Sequence, residues 1–304
     1  MTYHTPVLVQ EVLHYLEPER GGWYFDGTVG GGGHAEAILE RGSAVRLIGA
    51  DRDPEALAVA GERLARFGSR VRLVEASFAE AAARVAEPLT GALLDLGVSS
   101  HQIDEAERGF SFRPGVPLDM RMAPGAAGRT AADLLNELSE ERLSEIFRVY
   151  GEEPRARRLA RTVVERRRTS AFATSDDLVA AVRRALGPRS GPQDFARIFQ
   201  ALRIVVNDEL EQLEGALEEL REKLIAGGVL VILAYHSLED RRVKNAFREW
   251  SRACVCPPEL PVCRCRGVPL GEVLTRKPVS ASAAEVAANA RARSARLRAW
   301  RKAA

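Results

Sequence analysis

"DGTVGGGGHAE" (residues 26–36) closes an apolar run with a carboxylate and then exposes four consecutive glycines, Gly30 to Gly33. Around it the sequence alternates short apolar runs with amphipathic segments. "WYFD" (23–26), "VRLIGAD" (45–51), "VRLVEAS" (71–77) and "GALLDLG" (91–97) read as strands buried on both faces. Helical patterns, Gly33 to Glu40 and Pro54 to Phe67, separate the first three, the second opening with proline where a helix tolerates it. Strand, helix, strand at this spacing predicts a parallel, doubly wound α/β sheet.

After about Glu105 the rhythm breaks. Residues 105–193 show no convincing strand, only a Gly- and Pro-rich loop ("RGFSFRPGVPLDMRMAPGAAGR") and then helices. Ser139 is placed to cap one whose apolar face is Leu143, Ile146, Phe147 and Tyr150; Ser175 is placed to cap another ending at Gly187. A long amphipathic segment follows, from Phe195 to Leu224, and "VLVILAYHS" (229–237) and "GEVLTRKPV" (271–279) resume the sheet. The expected organisation is a sheet domain in two parts, 1–104 and 194–304, with an inserted helical domain, 105–193, and a basic C-terminal tail.

Gly30 to Ala35 fits G-x-G-x-x-A between a strand and a helix, with Asp51 about the distance downstream at which an acid holds a ribose hydroxyl. That pattern suits NAD equally, while the lack of a Gly-Lys-Ser/Thr excludes a Walker-type phosphate loop. Asp26 favours a different ligand: before the glycines a carboxylate repels a pyrophosphate but receives an ammonium. Asp95 likewise ends the fourth strand, at the edge where open sheets bind ligands. A cofactor with a ribose, a base and an ammonium but no phosphate matches Asp26, Asp51 and Asp95, and S-adenosylmethionine is that cofactor. Phe78 reads equally as core packing or as a stacking partner for adenine.

Three further stretches carry polar groups at element ends. "DLGVSSHQIDEAERGFSF" holds Asp95, Ser99, Ser100, Gln102 and Asp104; "FQALRIVVNDEL" puts Arg203, Asn207 and Asp208 on an apolar helix; "YHSLEDR" gathers His236, Ser237, Glu239, Asp240 and Arg241. Hydrogen-bond acceptors beside a methyl sulfonium suit transfer to an amino group, whose hydrogens must be held while its lone pair is aimed. Each stretch also has a plain structural reading: Asn207 as a buried hydrogen bonder, His236 and Ser237 as a helix start, Glu239 with Arg242 as a surface pair.

The chain of 304 residues, 46% hydrophobic, is long enough for about two domains. It opens without a basic segment before an apolar one and contains nothing near the ~18 apolar residues of a membrane span, so a cytoplasmic protein is expected. Net charge is only +2, but arginines cluster in "RARRLARTVVERRR" (155–168) and, after Glu285, in Arg291, Arg293, Arg296, Arg298, Arg301 and Lys302. Such clusters are the footprint of a phosphate-backbone partner or, alternatively, solvated faces. Cys254, Cys256, Cys263 and Cys265 form C-x-C-x6-C-x-C, tighter than common zinc spacings; a zinc loop and a reduced loop of small thiols both remain open, and no metal is assigned to the reaction.

The stretches "HTPVLVQEVL", "DGTVGGGGH", "GADRDP", "LLDLGVSS", "RGFSF", "PLDMRM", "YGEE", "FQALRIVVNDEL", "HSLEDR" and "RARSARLR" follow one another as in a known family. Over nearly its whole length the chain resembles the small-subunit ribosomal RNA methyltransferases of the RsmH (MraW) type. The resemblance implies a class I (Rossmann-like) S-adenosylmethionine-dependent methyltransferase sheet with a helical insertion, and methylation of the exocyclic N4 of one cytidine in 16S rRNA near the decoding site. It implies cofactor contacts at Gly32, Gly33, His34, Asp51, Phe78, Asp95 and Gln102, of which His34 and Gln102 come from the resemblance alone. Asp95 and Asn207 are the expected acceptors near the amine, with His236, Ser237 and Glu239 shaping the pocket. The partner is 16S rRNA in the small ribosomal subunit, with neither DNA nor membrane expected. Competing classes are an NAD-dependent oxidoreductase and a non-catalytic RNA-binding assembly factor. Three departures from the family pattern stand out: Ala234-Tyr235 for Ser-Phe, "QDFARI" for a His-Pro-Ala-Thr-Arg segment, and Ala290 for a proline.

Overall fold

A computed structural model describes residues 6–99, 102–103, 105–123, 125, 128–257, 262 and 264–304. Ser100, Asp104 and Cys263 lie outside the described residues. The chain divides into two compact units, one of residues 1–97 and 211–304, the other of residues 98–210.

The first unit begins α1 (Val9–Leu16), β1 (Gly22–Asp26), α2 (Gly33–Arg41), β2 (Val45–Asp51), α3 (Pro54–Leu64), β3 (Val71–Glu75), α4 (Phe78–Arg84), β4 (Leu89–Asp95). The second unit contributes α5 (Ala131–Glu137), α6 (Glu140–Val149), α7 (Ala156–Arg167), α8 (Ser175–Leu186) and α9 (Pro192–Val206). The chain then returns through α10 (Glu209–Lys223) to β5 (Leu224–Ala234), α11 (Ser237–Trp250), β6 (Gly271–Val273), α12 (Ala283–Ala288) and β7 (Arg296–Lys302).

The sheet order is β3-β2-β1-β4-β5-β7-β6. β1 to β5 pair in parallel, and β7 runs antiparallel between β5 and β6. This is a class I, Rossmann-like sheet. Its strands carry apolar side chains to both faces, as a doubly wound sheet requires. In β5, Val229, Val231 and Leu233 enter one core with α1, α2 and α3, whereas Leu230 and Ile232 enter the other with α10 and α11. The strand order reverses between β1 and β4, so the crevice at their carboxyl ends is where such a sheet binds ligands.

The second unit is helical and encloses its own core, including Leu143, Ile146, Phe147, Leu159, Val163, Val182, Phe195, Ile198 and Leu202. Ser139 caps α6 as expected, its side chain accepting from the Arg142 amide. The cap of α8, however, is Thr174, one residue before the expected Ser175, and Asp177 closes a reciprocal capping box with it.

Two expectations are corrected. The amphipathic segment from Phe195 to Leu224 is two helices, not one: Asn207 ends α9, and Asp208 takes a left-handed backbone (φ 51°) before α10 starts. The basic tail is in part a buried strand. Leu297 and Ala299 of β7 face one core and Trp300 the other, while Arg298, only 6% exposed, makes a bidentate pair with Asp240 of α11 at 2.6 and 3.1 Å. Arg301 pairs with Glu17 at 3.0 Å, and the Lys302 ammonium donates to the carbonyls of Glu222 and Leu224. Arg298 is thus withdrawn from any nucleic-acid surface, and Arg301 and Lys302 are engaged within the sheet unit; among the tail arginines Arg293 and Arg296 remain exposed.

Candidate functional site

β1, β2, β4 and β5 end in a row of polar side chains at the carboxyl edge of the sheet: Asp26, Asp51, Asp95 and, just beyond β5, Tyr235 and His236. A parallel sheet places these ends side by side, so four strands separated in sequence deliver one site.

The glycine run lies between β1 and α2. Gly30 (φ 50°) and Gly32 (φ 82°) occupy the left-handed region, where a side chain would be strained. Gly32 is the N-cap of α2, whose first-turn amides have no partner inside a helix and favour an anion. Asp51 fixes this loop: one carboxylate oxygen accepts from the Gly30 amide at 2.9 Å and the other from the Asp53 amide at 3.0 Å. Burial raises the Asp51 pKa and these two amides oppose the shift. Sequence spacing identified Asp51 as a ligand contact but not as the clamp of the loop.

Asp26 is 1% exposed. Its Oδ1 accepts from the Thr28 amide at 3.2 Å, while its Oδ2 is buried with no hydrogen-bond partner among the described residues. Burial pushes the carboxyl up to about 7, against the opposing pull of His34 and the Thr28 amide; Asp95 and Asp51 add to the rise. A buried carboxylate oxygen without a donor is costly unless something cationic meets it. His34, in the first turn of α2, is similarly placed: it is buried, and neither ring nitrogen has a hydrogen-bond partner among the described residues. Its Nε2 stands 3.5 Å from Asp95 Oδ2, near enough for charge attraction but without hydrogen-bond alignment.

Asp95 is held from two sides. Its backbone amide donates to Thr28 Oγ1 at 2.6 Å, and its Oδ1 accepts from the Tyr235 hydroxyl at 2.8 Å. Burial and the Asp95 charge both raise the Tyr235 pKa, so the phenol stays a donor. The sequence shows Tyr235 only as a departure from the family pattern; its hydroxyl reaches across 140 positions to the carboxylate. Phe78 starts α4 behind a Ser77 and Glu80 capping box and is partly buried against the core. Its Cβ falls 2.9 Å from where a side chain on Gly27 would begin, which puts it beside the end of β1.

His236, Ser237 and Glu239 form the entry to α11. The Glu239 carboxylate accepts from the amides of Tyr235 and His236 at 2.9 and 3.3 Å, and the Glu239 amide donates to His236 Nδ1 at 3.4 Å. His236 Nε2 lies 3.1 Å from Glu239 Oε1. Glu239 thus belongs to a buried capping arrangement and not to a surface pair with Arg242.

Gln102 and Asn207 lie in the helical unit. Gln102 Oε1 accepts from the Ser99 amide at 2.9 Å and its Nε2 donates to the Met122 carbonyl at 3.3 Å. Asn207 donates to the carbonyls of Met120 and Arg203 at 2.8 and 2.9 Å and accepts from the Met122 amide at 2.9 Å. It therefore ties the end of α9 to residues 120–122, and the described contacts engage both of its amide atoms.

The first unit's donor set matches S-adenosylmethionine better than a dinucleotide. Asp26 Oδ2, an acceptor without a donor among the described residues, calls for a cation, and three carboxylates in a row oppose a pyrophosphate.

Comparison with known proteins agrees. The model of the MraW methylase family matches residues 1–303. A relative from Gemmatimonas aurantiaca named ribosomal RNA small subunit methyltransferase H is 57% identical, covering 99% of this chain and 96% of that protein. Relatives of the same name from Heliobacterium modesticaldum and Geobacter sulfurreducens are 50% and 51% identical, each covering 99% of this chain, with 98% and 100% of their own lengths. Through residues 1–303, this chain belongs to the MraW methylase family.

Proposed function

We propose that the protein is an S-adenosylmethionine-dependent methyltransferase that methylates the exocyclic N4 of a specific cytidine in 16S rRNA near the decoding site. The observation that carries this reading is Asp26 Oδ2, a buried carboxylate oxygen without a donor among the described residues, at the sheet's switch point. It fits an ammonium, and neither a nicotinamide dinucleotide nor a cofactor-free assembly factor gives it a purpose.

The cofactor residues are Asp26 for the ammonium, the Gly32, Gly33 and His34 backbone at the start of α2 for the carboxylate, Asp51 for the ribose, and Phe78 beside the adenine. When bound, the cofactor supplies an electrophilic methyl group on a sulfonium sulfur. Cytosine N4 is a weak nucleophile because its lone pair is shared with the ring, so the protein's contribution is positioning and polarisation. The target base is extruded from its loop, which RNA permits more readily than a duplex does. Asp95 holds an N4 hydrogen, aligns the lone pair and accepts the proton, while Tyr235 fixes the orientation of that carboxylate. His236, Ser237 and Glu239 shape the wall beyond β5. Asn207 acts by holding residues 120–122. In the helical unit, Arg157, Arg158 and Arg168 are exposed and serve the RNA backbone.

Mass mapping of modified nucleosides in 16S rRNA from cells with and without this protein tests the reading. One cytidine should lose its N4-methyl group in the deleted strain and regain it on complementation; an unchanged map overturns the proposal.

A further inference from the structure

Between α11 and β6 none of the described residues is fully buried. Val262 and Val268 are 67% and 60% exposed. This segment starts and finishes at one place. The Leu270 amide donates to the Trp250 carbonyl at 2.8 Å, and the Arg266 guanidinium donates to the carbonyls of Glu249 and Arg252 at 2.7 and 3.0 Å. A segment with so little apolar burial needs a staple to hold one conformation.

Sulfur is what the segment brings together. The Sγ atoms of Cys254, Cys256 and Cys265 all lie within 4.8 Å of one another, although the last two are nine positions apart in the chain. The backbone addresses them reciprocally. The Val255 amide, between Cys254 and Cys256, donates to Cys265 Sγ at 3.3 Å; the Arg264 amide, immediately before Cys265, donates to Cys256 Sγ at 3.4 Å. Each strand of the loop thus aims an N–H donor at the other's sulfur.

We propose that Cys254, Cys256 and Cys265 bind a zinc ion that staples the segment between α11 and β6. At a Zn–S distance of about 2.3 Å, tetrahedral thiolates lie roughly 3.8 Å apart, so the sulfurs need to draw in by only about 1 Å. Three thiolates on a divalent ion leave one negative charge, and Arg252, Arg264 and Arg266 flank them in the sequence to balance it. The one-residue gaps that look too tight for a chelating turn are met by this pairing of two turns across the loop. The Cys265 thiol donates to the Ala253 carbonyl at 3.9 Å, a weak contact that a metal ion would outcompete. Soft thiolate donors select zinc, and a fourth ligand from outside this trio completes its tetrahedral shell.

Elemental analysis of the full chain, purified under reducing conditions and loaded with one equivalent of zinc before desalting, tests this. About one zinc per chain is expected, released stoichiometrically when a mercurial titrates the thiols. Cobalt exchange should give thiolate-to-metal charge-transfer absorption that Cys265→Ser abolishes, while Cys254→Ser and Cys265→Ser should lower zinc content about tenfold or more. The mercurial release requires no variant, so a misfolded substitution leaves the test intact. Retention of less than about a tenth of a zinc per chain, or a disulfide joining Cys265 to Cys254 or Cys256 in reduced preparations, overturns the proposal.

Discussion

If Asp26 receives the cofactor's ammonium, affinity must depend on pH with a midpoint set by that carboxyl. Burial raises its pKa to about 7 in the protein without ligand. The ammonium favours the ionised carboxylate, so binding proceeds through that form and releases a proton wherever Asp26 starts protonated. Between pH 7.5 and pH 6 the ionised fraction falls about eightfold, equivalent to roughly 1.2 kcal/mol of binding free energy. Isothermal titration calorimetry with S-adenosylhomocysteine, whose ammonium stays charged over this window, should show the dissociation constant rising by that factor. In buffers of different ionisation enthalpy, about 0.9 proton should be released per ligand at pH 6. Asp26→Asn keeps the acceptor for the Thr28 amide and should flatten the profile at a uniformly weak affinity. The same substitution makes an opposite prediction for the protein alone. An acid whose folded pKa lies above its unfolded value lowers stability above that pKa. Asp26→Asn should therefore stabilise the ligand-free protein at pH 8, by up to roughly 4 kcal/mol, and the gain should fade as pH falls from 7 towards 4. A wild-type affinity constant within twofold from pH 7.5 to 6, or a slope that survives in Asp26→Asn, would refute the assignment.

Other consequences are equally direct. Arg298→Ala leaves Asp240 buried without its bidentate partner and should cost about 3–5 kcal/mol in urea unfolding, a loss that Arg293→Ala, on an exposed residue, should not produce. Tyr235→Phe removes a hydrogen bond to the Asp95 carboxylate; kcat should fall about tenfold with the KM for cofactor nearly unchanged, and a rise in KM alone would show that the hydroxyl serves binding instead. Replacing Arg157, Arg158 and Arg168 together by alanine should weaken binding to the unmethylated small subunit and reduce the slope of log K against log salt by about 2; an unchanged slope places the phosphate contacts elsewhere.

The central strands were legible because a doubly wound sheet buries both faces, leaving unbroken apolar runs that end in Asp26, Asp51 and Asp95. Those acids could be picked out because strand ends are where the backbone stops needing apolar neighbours. β7 was not legible, since "RLRAWRK" reads as a basic tail until Arg298 is seen to be neutralised by Asp240, 58 positions earlier. Tyr235 escaped for the same reason: its partner is distant in sequence, and no local pattern marks it. The break at Asp208 left a signal that periodicity overrode, because the apolar spacing runs on from α9 into α10 while Asn-Asp is a pair that tolerates a left-handed turn. The roles of His236 and Glu239 in starting α11 follow from the ordinary grammar of capping, which the same residues' chemistry obscured.

β7 also governs how damage would spread. It bridges β5 and β6, pairing with Val229 to Ala234 on one side and Gly271 to Val273 on the other. A nonsense codon between Val273 and Arg296 would orphan β6 and uncover the flank of β5, where Val229 to Ala234 are six consecutive residues without a charge, a proline or a glycine. An edge of that composition recruits other chains, so premature termination should yield inclusion bodies and not a shortened enzyme.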